Sequence, residues 1–143
     1  MLYFDTSFLV PLFLDEQTST RVERFIRQQG PGEAAVSLWT RIEFSSAIAR
    51  QVRLGKLGPQ TALEIDFEFD SIITNSFVTI SPSAGDFDLS KQFLRRYETA
   101  LRAGDALHLA IASNHGARTI YSLDRGLLKG GKVLGLPVQG DLS

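Results

Sequence analysis

The sequence predicts an α/β protein, a parallel sheet covered by helices on both faces. Three observations carry that prediction. Short apolar runs, "LYF", "AAVS", "FVTI" and "RTIYS", recur along the 143 residues. Longer stretches with helical spacing lie between them. The short runs carry no regular polar face, as expected of strands buried on both sides.

Taken in order, Leu2 to Phe4 read as the first strand, and "FLVPLFLDE" follows as a short helix with Pro11 tolerated in its first turn. "TSTRVERFIRQQG" has Thr18 or Ser19 as N-cap, Gly30 as stop, and Val22, Phe25 and Ile26 on one face. After the turn "GPGE", "AAVS" is the second strand. "LWTRIEFSSAIARQVRLG" is a helix ended by Gly55, and Pro59 opens another that reaches Asn75. Inside the latter, "EIDFEFD" alternates as a strand would. Asp and Glu are poor strand formers, however, and "GPQT" upstream is a good helix start, so the segment is assigned to the helix. "FVTI" is the third strand, closed by "SPS". "DFDLSKQFLRRYETA" and "GDALHLAIASNHG" are helices, "RTIYS" is the fourth strand, "RGLLKGGKVLG" a weak helix and "LPV" a last short strand. With no repeat, linker or low-complexity segment, residues 1–143 read as one domain.

Composition narrows the function. At 43% hydrophobic and 22% charged the chain is an ordinary globular domain, long enough to build its own core. The absence of cysteine excludes a disulfide framework and a thiolate metal site. No apolar run approaches the roughly 18 residues that span a bilayer. The opening stretch has no basic region and carries Asp5, unlike a signal peptide, so a cytoplasmic location without a membrane partner is expected. A net charge of −1 means that any nucleic-acid role must rest on a local site.

Four acids supply a candidate for that site. In right-handed β-α-β units the carboxyl ends of strands and the starts of the following helices share one sheet edge, where ligands bind. Asp5 ends the first strand, Asp124 follows the fourth, Asp105 opens the helix "DALHLAIA", and Glu43 lies in the first turns after the second strand. Each has a plain structural reading. Asp5 and Asp105 can cap helices, Asp124 can be a turn residue in "SLDRG", and Glu43 can be a solvated acid paired with Arg41 or Arg50. Together, four like charges at one edge call for a cation, and oxygen donors select Mg²⁺ or Mn²⁺. Two such ions about 4 Å apart would clamp a phosphodiester for in-line attack by water.

At these residues the chain resembles the PIN-domain family and, within it, the VapC-type ribonuclease toxins of toxin–antitoxin pairs. The matching pieces are "LYFDTS", "SLWTRIE", "LRAGDALHLAIA" and "TIYSLDRGLL", in family order along essentially the whole chain. The resemblance implies a three-layer α/β/α fold around a mostly parallel five-stranded sheet. It implies a metal-dependent endoribonuclease acting on structured RNA such as tRNA or rRNA. It also implies a homodimer and a VapB-like antitoxin that inhibits through a basic side chain placed among the acids. By motif, the metal-binding acids carry over onto Asp5, Glu43, Asp105 and Asp124, and the supporting hydroxyls onto Thr6 and Ser122. Arg41 and Arg125 are candidate phosphate contacts that the family pattern does not fix.

Other residues read as structural. Glu64 with Glu68 and Asp66 with Asp70 are like-charge i,i+4 pairs on a solvated face. Asp86 and Asp88 suit a helix start, His115 a helix end, and Trp39 packing. His108, three residues past Asp105, reads as a half-buried packing residue. Arg21, Arg24 and Arg27 read as a solvated face, and "GGK" lacks the layout of a P-loop. Two alternatives stand beside the nuclease: a non-catalytic RNA- or protein-binding module of the same fold, and a phosphatase with Asp5 as nucleophile. The latter chemistry usually wants a second Asp two residues on, where this chain has Ser7.

Overall fold

The computed structural model describes residues 1–14 and 16–140, the side chains of 16–18 excepted. In chain order the elements are β1 (Leu2–Phe4), α1 (Thr6–Leu9), α2 (Pro11–Leu14), α3 (Glu16–Arg27), β2 (Ala34–Ser37), α4 (Leu38–Arg53) and α5 (Pro59–Ser76). Then come β3 (Val78–Ile80), α6 (Ala84–Arg95), a 3₁₀ turn (Tyr97–Thr99), α7 (Ala103–Asn114), β4 (Thr119–Tyr121), α8 (Arg125–Val133) and β5 (Val138–Gln139). The strands form one sheet in the order β3-β2-β1-β4-β5, every neighbouring pair parallel.

Successive strand residues point to opposite faces, and two cores follow from that. Leu2 and Phe4 of β1 and Ala34 and Val36 of β2 face α1, α3, α4 and α5, where they meet Phe8, Val22, Phe44, Ile48, Phe69 and Ile73. Tyr3, Ala35 and Ile120 face the other way, onto Leu107, Leu109 and Ile111 of α7 and Leu127 of α8. The result is the expected three-layer α/β/α arrangement around a five-stranded sheet. Aromatic rings lock the first layer, with Phe44 and Phe69 stacked at 3.7 Å between centroids and joining α4 to α5. Among the described residues no helix is long and apolar enough to cross a membrane.

Local chemistry sets the helix ends. The Ser37 N–H donates to Thr40 Oγ1 at 3.2 Å at the start of α4, and the Ser83 N–H donates to Asp86 Oδ2 at 2.9 Å at the start of α6. Gly55, with φ of +73°, turns the chain after α4, and Pro59 opens α5. "EIDFEFD" is helical, as expected. Asp66 accepts from Ser45 and Asp70 pairs with Arg41, so half of that acidic face is tied to α4 rather than merely solvated.

Four details depart from the sequence expectation. Pro11 does not sit within one helix but opens α2 after a break at Val10, because its ring cannot continue the helix that ends at Leu9. The third helix starts at Glu16, so Thr18 and Ser19 lie inside it, and Asp15 before it is outside the described residues. The stretch after "SPS" breaks at Arg96, leaving Tyr97–Thr99 as a separate 3₁₀ turn. The last strand is Val138–Gln139, shifted past Pro137, which has no N–H to give.

Candidate active site

The strand order changes direction between β1 and β4, and crevices in open α/β sheets form at such points. Asp5 leaves β1 there. Its N–H donates to the Tyr121 carbonyl of β4 at 3.0 Å, and its side chain is only 2% exposed. Oδ1 accepts from the Ser7 hydroxyl at 2.7 Å and the Phe8 N–H at 3.2 Å, and Oδ2 accepts from the Ser122 hydroxyl at 2.8 Å. Asp5 therefore does cap α1, but capping uses only one of its oxygens. The two serines also hold the loop after β4, Ser7 Oγ accepting from the Leu123 N–H at 2.9 Å and Ser122 Oγ from the Asp124 N–H at 3.0 Å.

Glu43 reaches the same place from the second turn of α4. Its Oε1 accepts from the Thr6 hydroxyl at 2.7 Å and from Nε2–H of His108. His108 Nδ1 meets the Tyr3 hydroxyl at 2.7 Å, and that hydroxyl donates to Ser37 Oγ at 2.9 Å. Asp124 caps α8 through Oδ1, which accepts from the Leu127 N–H at 3.0 Å. Asp105 is the third residue of α7, whose N-cap is Arg102, so it is not a cap, and among the described residues it takes no hydrogen bond or ion pair.

All four acids line one cleft of about 660 Å³. Their mutual repulsion is visible at Asp105. Burial first, then the charges of Asp124, Asp5 and Glu43, push the Asp105 carboxyl up to about 6. Burial pushes Asp5 up as well, against the opposing effects of His108, Ser7, Ser122 and the Phe8 N–H. Glu43 goes the other way. Burial raises it, but the hydrogen bond and charge of His108, with Thr6 and the Trp39 indole, outweigh that and hold it below the usual range. Burial also raises the Tyr3 phenol.

The donor set fits a hard divalent cation. Each carboxylate oxygen has two lone pairs. On that count Asp5 Oδ2 keeps one, Asp124 Oδ2 and both oxygens of Asp105 accept no hydrogen bond from a described residue, and Glu43 Oε2 has the Trp39 indole beside it with a lone pair to spare. The acids surround the cleft rather than converge. Among the described residues no group of three or more His, Asp or Glu side chains is placed to hold an ion.

Thr6 donates to Glu43 and Ser122 to Asp5. Arg41 and Arg125 do not line the cleft. Arg41 turns to Asp70 at 2.9 Å, and Arg125 is exposed at the start of α8. The cations that do line it are Arg50, Arg53 and Arg102, none of which forms an ion pair with a described residue. Glu43 is thus paired with neither Arg41 nor Arg50. His108 is not half-buried packing but 1% exposed and bonded through both ring nitrogens. The signal that could have found it is its position in "ALHLAIA": a polar side chain in an otherwise apolar helix needs a buried partner. Asp86 is likewise more than a helix-start acid, being fully buried and accepting from Asn114 Nδ2 at 2.8 Å.

A family model described as PIN domain matches residues 2–132. Among solved structures, FitAcB from Neisseria gonorrhoeae superposes with a TM-score of 0.76 at 17% identity, covering 98% of this chain and 97% of that one. VapC20 from Mycobacterium tuberculosis, a sarcin–ricin-loop-cleaving toxin, gives 0.71 at 17%, covering 95% and 96%. VapBC-1 from nontypeable Haemophilus influenzae gives 0.65 at 14%, covering 97% of each. No curated protein matches the chain. At these identities the solved structures speak for the fold alone, whereas the family model spans nearly every described residue. With the parallel sheet and the acid-lined crevice at its switch point, the chain belongs to the PIN domain family.

Proposed function

We propose that the chain is the ribonuclease toxin of a VapC-type toxin–antitoxin pair and hydrolyses RNA phosphodiester bonds with Mg²⁺ or Mn²⁺, two ions per site. The observation that carries this reading is the single cleft to which the β1–α1 junction, α4, α7 and the β4–α8 connection each contribute one carboxylate. Asp5, Glu43, Asp105 and Asp124 would hold the ions through the oxygens left unbonded by the protein. When bound, the ions supply positive charge against the charge that develops on the phosphoryl group. Ser122 and Ser7 keep Asp5 in one rotamer, and Thr6 does the same for Glu43. An RNA substrate is supported by the likeness to VapC20, which cleaves the sarcin–ricin loop. An antitoxin is supported by neighbours solved as VapBC and FitAB complexes. A homodimer would remove from water the apolar side chains of Leu38 and Ile42, which are 39% and 62% exposed.

Cleavage of a labelled RNA pool tests the reading. We expect cleavage with Mn²⁺, none in excess EDTA, and full recovery on adding Mn²⁺ back. Undiminished cleavage in EDTA would remove the metal mechanism. The non-catalytic binding module is the second reading, favoured by the acids not converging on a point. RNA retained but uncut under every divalent ion would select it.

The cleft also suggests how the strand lies. Glu43, Ser46, Arg50 and Arg53 follow one face of α4, and Arg50 stands seven residues, about 10 Å, from Glu43 along the axis. That suits a phosphate one or two nucleotides from the scissile one. Arg50 and Arg53 also favour the helix C-terminus on electrostatic grounds, so their role needs a binding measurement. We expect Arg50→Ala with Arg53→Ala to weaken RNA binding and flatten its log-affinity against log-salt slope by about 1.4, two phosphate contacts on a single strand. Arg41→Ala with Arg125→Ala should leave the slope unchanged. A slope that responds only to the second pair would move the strand off α4.

A further inference from the structure

We infer that His108, clamped by Tyr3, is a positioning residue that fixes the Glu43 carboxylate, committing Oε1 to the protein and leaving Oε2 to the cleft. The inference rests on the nuclease reading only for what the cleft then binds. Glu43 is a long side chain on an outer helix, 29% exposed, and would otherwise sample solvent. Instead Oε1 is saturated, with one lone pair taken by the Thr6 hydroxyl and the other by His108. A carboxylate only accepts, so the proton of the second bond belongs to His108 Nε2. The imidazole cannot swing away. It is 1% exposed, its Nδ1 meets the Tyr3 hydroxyl at 2.7 Å, and the Tyr3 ring, itself fully buried, tilts against it at 5.7 Å between centroids.

The chain of contacts closes on itself. The Tyr3 hydroxyl donates to Ser37, the N-cap of α4, and α4 carries Glu43. Ser37, Tyr3, His108 and Glu43 therefore join β1, α7 and α4 in a ring that begins and ends on the same helix. On the far side Gly104 leaves Oε2 its room, because a Cβ there would stand 2.9 Å from Oε2 and 3.4 Å from the Trp39 ring. Partners that orient a metal-binding side chain from behind commonly matter 10–100-fold for affinity. A purely structural network would instead show up in melting temperature and nowhere else.

The test is a double-mutant cycle read by Mn²⁺-dependent thermal melting of the full chain. We expect His108→Leu to weaken Mn²⁺ binding by about 10–100-fold. His108→Gln, whose Nε2–H reaches the same oxygen, should recover most of that. In a Glu43→Gln background His108→Leu should cost nothing further. Additive losses, or Mn²⁺ binding by His108→Leu at the wild-type midpoint, would overturn the inference. If His108→Leu does not fold, Tyr3→Phe removes one hydroxyl with the ring kept, and is expected to weaken Mn²⁺ binding several-fold. Wild-type binding by Tyr3→Phe then overturns it. A metal-independent measurement separates this from the nuclease reading. The His108 Nε2–H proton should resonate far downfield and exchange slowly in wild type, and lose both properties in Glu43→Gln. A resonance unmoved by Glu43→Gln refutes the link to Glu43. A wild-type chain that binds no Mn²⁺ refutes the nuclease reading and leaves that resonance to decide the positioning.

Discussion

Asp5→Asn is expected to lower RNA cleavage by about 1,000-fold or more, equivalent to about 4 kcal/mol of transition-state stabilisation, while the metal-free protein melts no lower than wild type. The two halves have different causes. Asn caps a helix about as well as Asp, so its side-chain oxygen can keep the Phe8 N–H bond of α1. The charge is a separate matter. Burial raises the Asp5 carboxyl in the folded chain, so the folded state holds its proton to higher pH than the unfolded state does. The resulting penalty is absent below both pKa values, grows as pH rises from the unfolded value and is full above the folded one. At neutral pH removing the charge therefore relieves a cost. Against that, an amide nitrogen placed at Oδ2 would donate towards Ser122, which now donates to it, so the hydroxyl must turn round. The checks are melting with and without Mn²⁺ beside a cleavage assay, with Glu64→Gln plus Glu68→Gln on exposed α5 as the control expected to cleave within a few fold of wild type. A mutant that cleaves normally and gains the same stability from Mn²⁺ would return Asp5 to being a cap and nothing else.

Much of this site was legible because its signals are local. An acid at the end of an apolar run, as at Asp5 and Asp124, marks the carboxyl edge of a parallel sheet whatever the rest of the chain does. Of the plain readings, Asp5 is indeed a cap, Asp124 is not merely a turn residue but caps α8, and Asp105 caps nothing; a cap spends one oxygen of two, so it does not exhaust the carboxylate. What was not legible depends on partners far apart in sequence. Nothing near Arg41 shows that Asp70, 29 residues away, will take it. Nothing near His108 names Tyr3, 105 residues away, although a histidine in an apolar helix signals that some partner exists. The cleft arginines carry no sequence signal for a phosphate contact, for a related reason. Arg50 and Arg53 sit in the last turn of a helix, where cations are ordinary, and only the fold shows that this helix starts at the acids and runs beside the cleft.

The second large effect belongs to Asp105, the acid with no hydrogen bond to soften its environment. Its carboxyl is pushed from 3.8 to about 6, first by burial and then by Asp124, Asp5 and Glu43. The sign of the consequence is definite. A carboxyl raised on folding costs the folded state nothing below pH 3.8, increasingly more between 3.8 and about 6, and a constant amount above. One pKa unit is worth about 1.4 kcal/mol. Asp105 is only partly buried, and screening by water reduces the effect, so we expect Asp105→Asn to stabilise the metal-free protein at pH 7 by on the order of 1 kcal/mol and to leave it unchanged near pH 3.5. Cations should reverse the balance. Binding at deprotonated acids releases protons, so wild-type Mn²⁺ affinity should climb with pH up to about 6 and then level off, following the Asp105 carboxyl. In Asp105→Asn that climb should flatten, the Mn²⁺-induced rise in melting temperature should shrink, and cleavage should fall by about 100-fold or more, about 3 kcal/mol. Melting curves from pH 3.5 to 8, with and without Mn²⁺, measure all but the last. A mutant whose metal-free stability falls with pH as steeply as wild type between 4 and 6 would show that the repulsion in the cleft is centred on another acid.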